Sequence, residues 1–238
     1  MGVKDSILTW GTSLLDAIVP RRCTVCGGVL VDGETVMCLH CLMSLPRLGI
    51  TDFTDNRLTE RLVSLRAPLE RATSLFYYIR GSNYVRLIHD TKYNSRPSVG
   101  RTLAREHTSR LIAEGFFDSI DLLLPMPLHP FKEWRRGYNQ SFEIARGISE
   151  ATGIRIADNL RTRGWHSTQT RRSAVQRREN VAERYKVVHA DELAGLHVLV
   201  VDDVITTGST MLAALEAIHA ASPTTRLSAY SLALTLFD

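Results

Sequence analysis

The stretch His197-Val198-Leu199-Val200-Val201-Asp202-Asp203-Val204-Ile205-Thr206-Thr207-Gly208-Ser209-Thr210 decides the fold. Its opening run is apolar without alternation, which predicts a central parallel strand buried on both faces. Asp202 and Asp203 then stand at the carboxyl edge, where open α/β sheets bind ligands, and two carboxylates can accept hydrogen bonds from vicinal ribose hydroxyls. Thr206, Thr207, Gly208, Ser209 and Thr210 follow with hydroxyls and successive backbone N–H groups at a helix start, an anion cradle. Gly208 lets the backbone approach a phosphate, while Met211, Leu212, Leu215 and Ile218 continue as the buried helix face. Sugar acceptors beside phosphate donors fit a ribose 5-phosphate. A solvated strand end followed by an ordinary N-cap is the alternative. A nucleotide-triphosphate loop is disfavoured, since no Gly-Lys-Ser/Thr is present and the acids precede the glycine.

Outward from this stretch, strand-like runs at 75–79, 121–124, 185–188, 197–201 and 227–236 alternate with helical patterns at 99–114, 141–151 and 209–221. Phe142, Ile144, Ala145 and Ile148 fall largely on one side of the second helix. The alternation predicts an α/β fold with a mostly parallel sheet and flanking helices. Ile7, Leu8, Leu14, Leu15 and Ile18 recur near helical spacing ahead of Pro20, predicting a short amphipathic helix. A chain of 238 residues accommodates that domain and a small appended module. The polar residues near 51–56 place the expected boundary between units 1–56 and 57–238. The hydrophobic share of 44% and charged share of 23% suggest neither disorder nor membrane insertion. Asp5 and Asp16 interrupt the first apolar stretch and no small-residue cleavage site follows, so a cytoplasmic chain is expected.

Cys23, Cys26, Cys38 and Cys41 form a C-x2-C, x11, C-x2-C pattern that turns four sulfurs toward one point, the spacing of a structural zinc site. Disulfides or unligated thiols are the alternative, disfavoured in a reducing compartment. His40 lies inside the second pair and reads as a bystander. Four protein ligands leave no open position for substrate, so the expected Zn2+ folds the module or serves a partner.

Between residues 161 and 185 lie seven arginines (161, 163, 171, 172, 177, 178 and 184) against Glu179 and Glu183, although the formal net charge is only +4. So long a basic excursion predicts a functional loop that meets a polyanion.

Val201-Asp202-Asp203-Val204 with Ile205-Thr206-Thr207-Gly208-Ser209-Thr210 resembles the 5-phosphoribosyl-1-pyrophosphate (PRPP) motif of type I phosphoribosyltransferases. With the cysteine module in front, the chain is similar to the ComF/GntX family. The likeness also takes in residues 83–93 with Lys92, Leu124-Pro125-Met126-Pro127-Leu128-His129, Arg136-Gly137-Tyr138-Asn139-Gln140 and the arginine-rich excursion.

The resemblance implies that Asp202 and Asp203 bind the ribose hydroxyls, that Thr206, Thr207, Gly208, Ser209 and Thr210 bind the 5-phosphate, and that Mg2+ accompanies PRPP. Lys92 matches a family lysine, and its ammonium would offset the charge of departing pyrophosphate. Arg136, clustered with Arg135, Asn139 and Gln140, suits bidentate phosphate contact. Arg177 and Asn180 match family positions and suggest a hood over PRPP, whereas His166 before Gln169, and Arg184-Tyr185, depart from the pattern. The resemblance further implies an accessory role in DNA uptake and natural transformation beside a helicase partner. Phosphoribosyl transfer and PRPP sensing without turnover both remain open. The zinc module and arginines could contact single-stranded DNA through its phosphates, although few aromatics apart from Trp165 and Tyr185 are interleaved to stack bases.

Overall fold

A computed structural model describes residues 20–63, 67–93, 96–163 and 184–236. The expected N-terminal helix and the hood residues Trp165, His166, Arg177 and Asn180 lie outside the described residues.

The strands are β1 (Arg71–Tyr78), β2 (Leu122–Pro125), β3 (Arg155–Ile156), β4 (Leu160–Thr162), β5 (Tyr185–Val187), β6 (His197–Ile205) and β7 (Arg226–Thr235). The helices are α1 (Leu39–Met43), α2 (Arg57–Arg61), α3 (Val85–Lys92), α4 (Pro97–Ala113), α5 (Pro130–Arg136), α6 (Gln140–Thr152) and α7 (Ser209–Ala221). Five strands form one parallel sheet in the order β1-β7-β6-β2-β3, so the α/β expectation holds.

The topology selects the place for a ligand. From β6 the chain crosses through α7 to β7, and from β2 it crosses through α6 to β3 on the other side. Right-handed crossovers running in opposite directions put α7 and α6 on opposite faces, which explains why β2 and β6 are buried throughout their apolar runs. The direction reverses between β6 and β2, and a crevice opens at the carboxyl end of such a switch point.

Alternate strand residues sort between the faces. Leu122, Leu124, Val198, Val200, Leu227 and Ala229 share one core cluster with Met211, Leu215 and Ile218 of α7. On the other side α6 packs on α4 so closely that a Cβ at Gly147 would sit 2.1 Å from the Arg101 carbonyl oxygen.

Two expectations need correction. Residues 185–187 do form a strand, but β5 pairs antiparallel with β4 outside the parallel sheet. The central strand also runs past Val201 to Ile205, because the ten-residue β7 continues beside it and offers Ser231, Ala233 and Leu234 as partners.

The described residues divide into two compact units after Leu45, whereas the sequence suggested a boundary after residue 56. The stretch after Leu45 pairs with the free edge of β1, through an antiparallel Arg47–Phe76 bridge and a 2.7 Å bond from the Tyr77 N–H to the Pro46 carbonyl. Among the described residues no helix is long and apolar enough to cross a membrane.

Candidate functional site

The acids occupy the point where β6 outruns β2. Pro125, the last residue of β2, lies opposite Val201, so the ladder to β2 stops before the acids, while Asp202 still pairs with Ser231 of β7. As successive strand residues they project in alternate directions and meet different partners. Asp202 Oδ1 accepts from the Ser141 hydroxyl at 3.0 Å and from the Asp203 N–H at 2.9 Å. Asp203 Oδ2 lies 3.0 Å from Lys92 Nζ at the end of α3. Burial, with the Asp203 charge beside it, raises the Asp202 carboxyl to about 7 against the pull of the Asp203 amide, the Ser141 hydroxyl and Lys92.

The loop beyond the acids is open to solvent where a ligand needs it. Thr206, Thr207, Ser209 and Thr210 are exposed, and only Gly208 is buried. Gly208 is the N-cap of α7 at φ +82° and has no side chain to cap the first turn; the Ser209 N–H makes a long 3.4 Å bond to Thr207 Oγ1, an arrangement that an incoming anion can replace. Thr207 Oγ1 and Ser209 Oγ are 3.0 Å apart, which gathers two hydroxyls over that helix start.

Arg136 reaches the same region from α5. Its guanidinium bonds Gln140 Oε1, and its Cζ stacks 5.3 Å from the Tyr93 ring centroid, one residue past Lys92. Asn139 caps α6 by accepting from the Ser141 and Phe142 N–H groups, and its amide donates to the Met126 carbonyl. The Tyr138 hydroxyl donates to the Thr91 carbonyl at 2.8 Å. Adjacent positions in sequence link these contacts: Gln140, which Arg136 bonds, precedes Ser141, the partner of Asp202, and Tyr93, on which Arg136 stacks, follows Lys92, the partner of Asp203. Arg135 is exposed and takes no part in them.

The basic excursion leaves from β4 and returns through β5, and the Arg163 N–H bonds the Arg184 carbonyl at 2.8 Å where the two paths separate. Tyr185 anchors the return: burial, then the Asp202 charge, pushes its phenol up to about 12.

Sequence reasoning did not single out several participants. Ser141 and Tyr93 touch the acids' network through tertiary contacts that periodicity does not reveal. Arg61 at the end of α2 donates to the Thr206 carbonyl at 2.9 Å and the Thr235 carbonyl at 2.7 Å. Phe131 and Trp134 of α5, which no sequence motif marks, stack with centroids 6.2 Å apart, 61% and 80% exposed.

The first unit gathers Cys23, Cys26, Cys38 and Cys41 so that all four sulfurs lie within 4.8 Å of one another. Cys26 Sγ and Cys38 Sγ are 3.8 Å apart, the edge expected of a tetrahedron with zinc–sulfur bonds of about 2.3 Å. Backbone N–H groups already point at sulfur, Gly28 to Cys26 at 3.4 Å and Cys38 to Cys23 at 3.3 Å. Burial raises the Cys23 thiol, but the amides of Cys26, Cys38 and Val25 outweigh it and bring it down to about 6, whereas burial among the other thiols pushes Cys41 up. Glu34 braces the hairpin by accepting from the Val31 and Leu39 N–H groups, which draws its carboxyl downward. The donor set fits zinc as a candidate metal site, and His40 supplies none of it.

Comparison with known proteins bears on the second unit. Residues 143–233 match the phosphoribosyl transferase domain family, a span that includes the acids and the hydroxyl loop. Competence protein F of Haemophilus influenzae is 28% identical over 205 residues, covering 80% of this chain and 87% of that protein. DNA utilization protein YhgH of Salmonella typhimurium is 26% identical over 204 residues, covering 81% and 88%. The chain is similar to these two proteins over about four-fifths of its length, and it carries the phosphoribosyl transferase domain together with a four-cysteine cluster near its start. Two solved structures also align over 60% of this chain and 30% of their own longer chains. One is an allosteric regulatory enzyme of purine biosynthesis, at TM-score 0.42 and 23% identity. The other is glutamine phosphoribosylpyrophosphate amidotransferase from B. subtilis, at 0.41 and 22%. The matched domain begins at residue 143, so the cysteines, Lys92 and Arg136 stand outside it and rest on the geometry above.

Proposed function

We propose that this chain binds PRPP with Mg2+ at the β6–β2 switch point and transfers its phosphoribosyl group to an acceptor, in the service of DNA uptake. One observation carries the reading. Two buried acids held by Ser141 and Lys92 share the sheet edge with a solvent-open, hydroxyl-lined helix start. Asp202 and Asp203 would accept from the ribose hydroxyls, and Thr206 to Thr210 would donate to the 5-phosphate. Lys92 would exchange Asp203 for pyrophosphate, and Arg136 stacks on Tyr93, the residue after Lys92. Bound with PRPP, Mg2+ would neutralise pyrophosphate charge as the bond to C1 of the ribose breaks. Zinc in the cysteine module would be structural, since four thiolates leave no position for water. The relatives' names, competence protein F and DNA utilization protein, support the DNA-uptake setting. Val29, Val31, Leu39 and Met43, all exposed on the module, would be available to a helicase partner.

The test is pyrophosphate release from Mg-PRPP across a panel of nucleobases and amines, with D202N and D203N as controls. Transfer predicts release that depends on one acceptor and disappears in the controls. PRPP binding without release from any acceptor would assign the site to sensing instead.

A second reading is favoured by α5, none of whose residues is buried. Phe131 and Trp134 are stacked and exposed beside Lys132 and Arg135, the pairing of aromatic platform and cations that holds single-stranded nucleic acid. Binding that weakens steeply with salt and is lost in F131A/W134A would support it. No binding at low salt would remove it.

A further inference from the structure

We infer that Arg61 is a positioning residue for the phosphate-gripping loop, holding the Thr206–Thr207 peptide with its carbonyl turned back and its N–H turned toward the ligand. The inference rests on the phosphoribose reading of that loop and extends it to a residue 145 positions away in sequence.

A loop that grips a phosphate must keep its carbonyl oxygens away from the anion. The peptide is planar and trans, so the Thr206 carbonyl and the Thr207 N–H point in opposite directions. Arg61 Nη1 takes the Thr206 carbonyl at 2.9 Å, which commits the Thr207 N–H to the other side of the loop. The same nitrogen takes the Thr235 carbonyl at 2.7 Å. Because Thr235 ends β7 and Thr206 follows β6, the guanidinium ties the loop to the strand that already pairs with Ile205. The loop therefore inherits the position of the sheet.

The rest of α2 works as a back plate. A Cβ at Gly208 would lie 3.1 Å from Leu62 Cδ2, 3.2 Å from Arg61 Cγ and 3.3 Å from the Arg61 oxygen. The helix end thus presses on the one buried residue of the loop and leaves the threonine and serine hydroxyls facing out. α2 is itself fixed by Asn56, whose side chain accepts from the Leu58 and Thr59 N–H groups and whose amide donates to the Ala72 carbonyl. A positive group one peptide behind the phosphate also favours the bound anion.

The test compares two ligands on the full chain by calorimetry. Ribose 5-phosphate engages the loop, whereas Mg-pyrophosphate engages the Lys92 and Arg136 side. R61Q is expected to weaken ribose 5-phosphate by about tenfold or more and leave Mg-pyrophosphate within about twofold. R61K keeps the charge and much of the stem but not the planar fork, and should fall between R61Q and the unaltered chain. The Thr207 amide resonance should shift with ribose 5-phosphate in the unaltered chain and not in R61Q. Unchanged ribose 5-phosphate affinity, or equal weakening of both ligands, overturns the inference. If R61Q does not fold, R61K carries the same two-ligand comparison. If the unaltered chain binds no ribose 5-phosphate, the phosphoribose reading fails first and the role of Arg61 with it.

Discussion

Lys92→Met removes the ammonium 3.0 Å from Asp203, whose side chain is only 5% exposed. The attraction across that distance is about 5.5 kcal/mol at an effective dielectric of about 20, and part of it is offset by the desolvation of both groups. Breaking a buried pair from one side costs about 3 kcal/mol, because the remaining carboxylate is left uncompensated. For a chain of this size that is a melting temperature lower by about 6–12 °C at neutral pH. The deficit should depend on pH. Asp202 keeps its proton in the fold up to about pH 7. Its contribution is therefore fully present below the unfolded value near 4 and is lost as pH rises through about 7. Lys92 opposes the rise that burial and the Asp203 charge impose on Asp202, so without it proton uptake by Asp202 relieves more of the strain. The K92M deficit should shrink on going from pH 7.5 to pH 5.5, by up to about 1.4 kcal/mol per pH unit. K92M/D203N should recover most of the loss. Urea unfolding at the two pH values measures all three chains. A K92M chain as stable as the original, or a deficit equal at both pH values, refutes the ion-pair argument.

Gly147→Ala places a methyl 2.1 Å from the Arg101 carbonyl and should cost about 3 kcal/mol, read as a melting temperature lower by about 6–12 °C; an unchanged value would mean α4 and α6 are not so tightly apposed. Elemental analysis should find about one zinc per chain, lost in C26S/C38S; two disulfides or no metal in the unaltered chain would contradict the cysteine reading. Gly208→Ala should weaken PRPP by about tenfold, since φ +82° and the 3.1 Å approach of Leu62 leave a side chain no unstrained position; full affinity would mean the loop does not need that conformation.

The segment 198–210 was legible because its physics is local. An unbroken apolar run, two acids and a hydroxyl-rich helix start each carry their own meaning, and the sheet places them as expected. The extent of β6 was not legible, since the strand continues through Asp202 to Ile205 only because β7 supplies partners there. A short apolar run at 185–188 revealed a strand but not its mate, which is β4 rather than the parallel sheet. Lys92 was marked by the family resemblance and Arg136 by its neighbours in sequence, while the structure adds their contacts: Lys92 meets Asp203, and Arg136 stacks on Tyr93, the residue after Lys92. Arg61 was invisible because its partners are 145 and 174 residues away, and a surface arginine on a short helix carries no signal of that.

The claim beneath all of this is that one sheet edge holds a sugar phosphate between paired acids and an open helix start. Calorimetry with Mg-PRPP tests it most directly: one site per chain, with heat that disappears in D202N and D203N while the fold survives. Absence of binding in the unaltered chain, or binding that both variants retain, would contradict it.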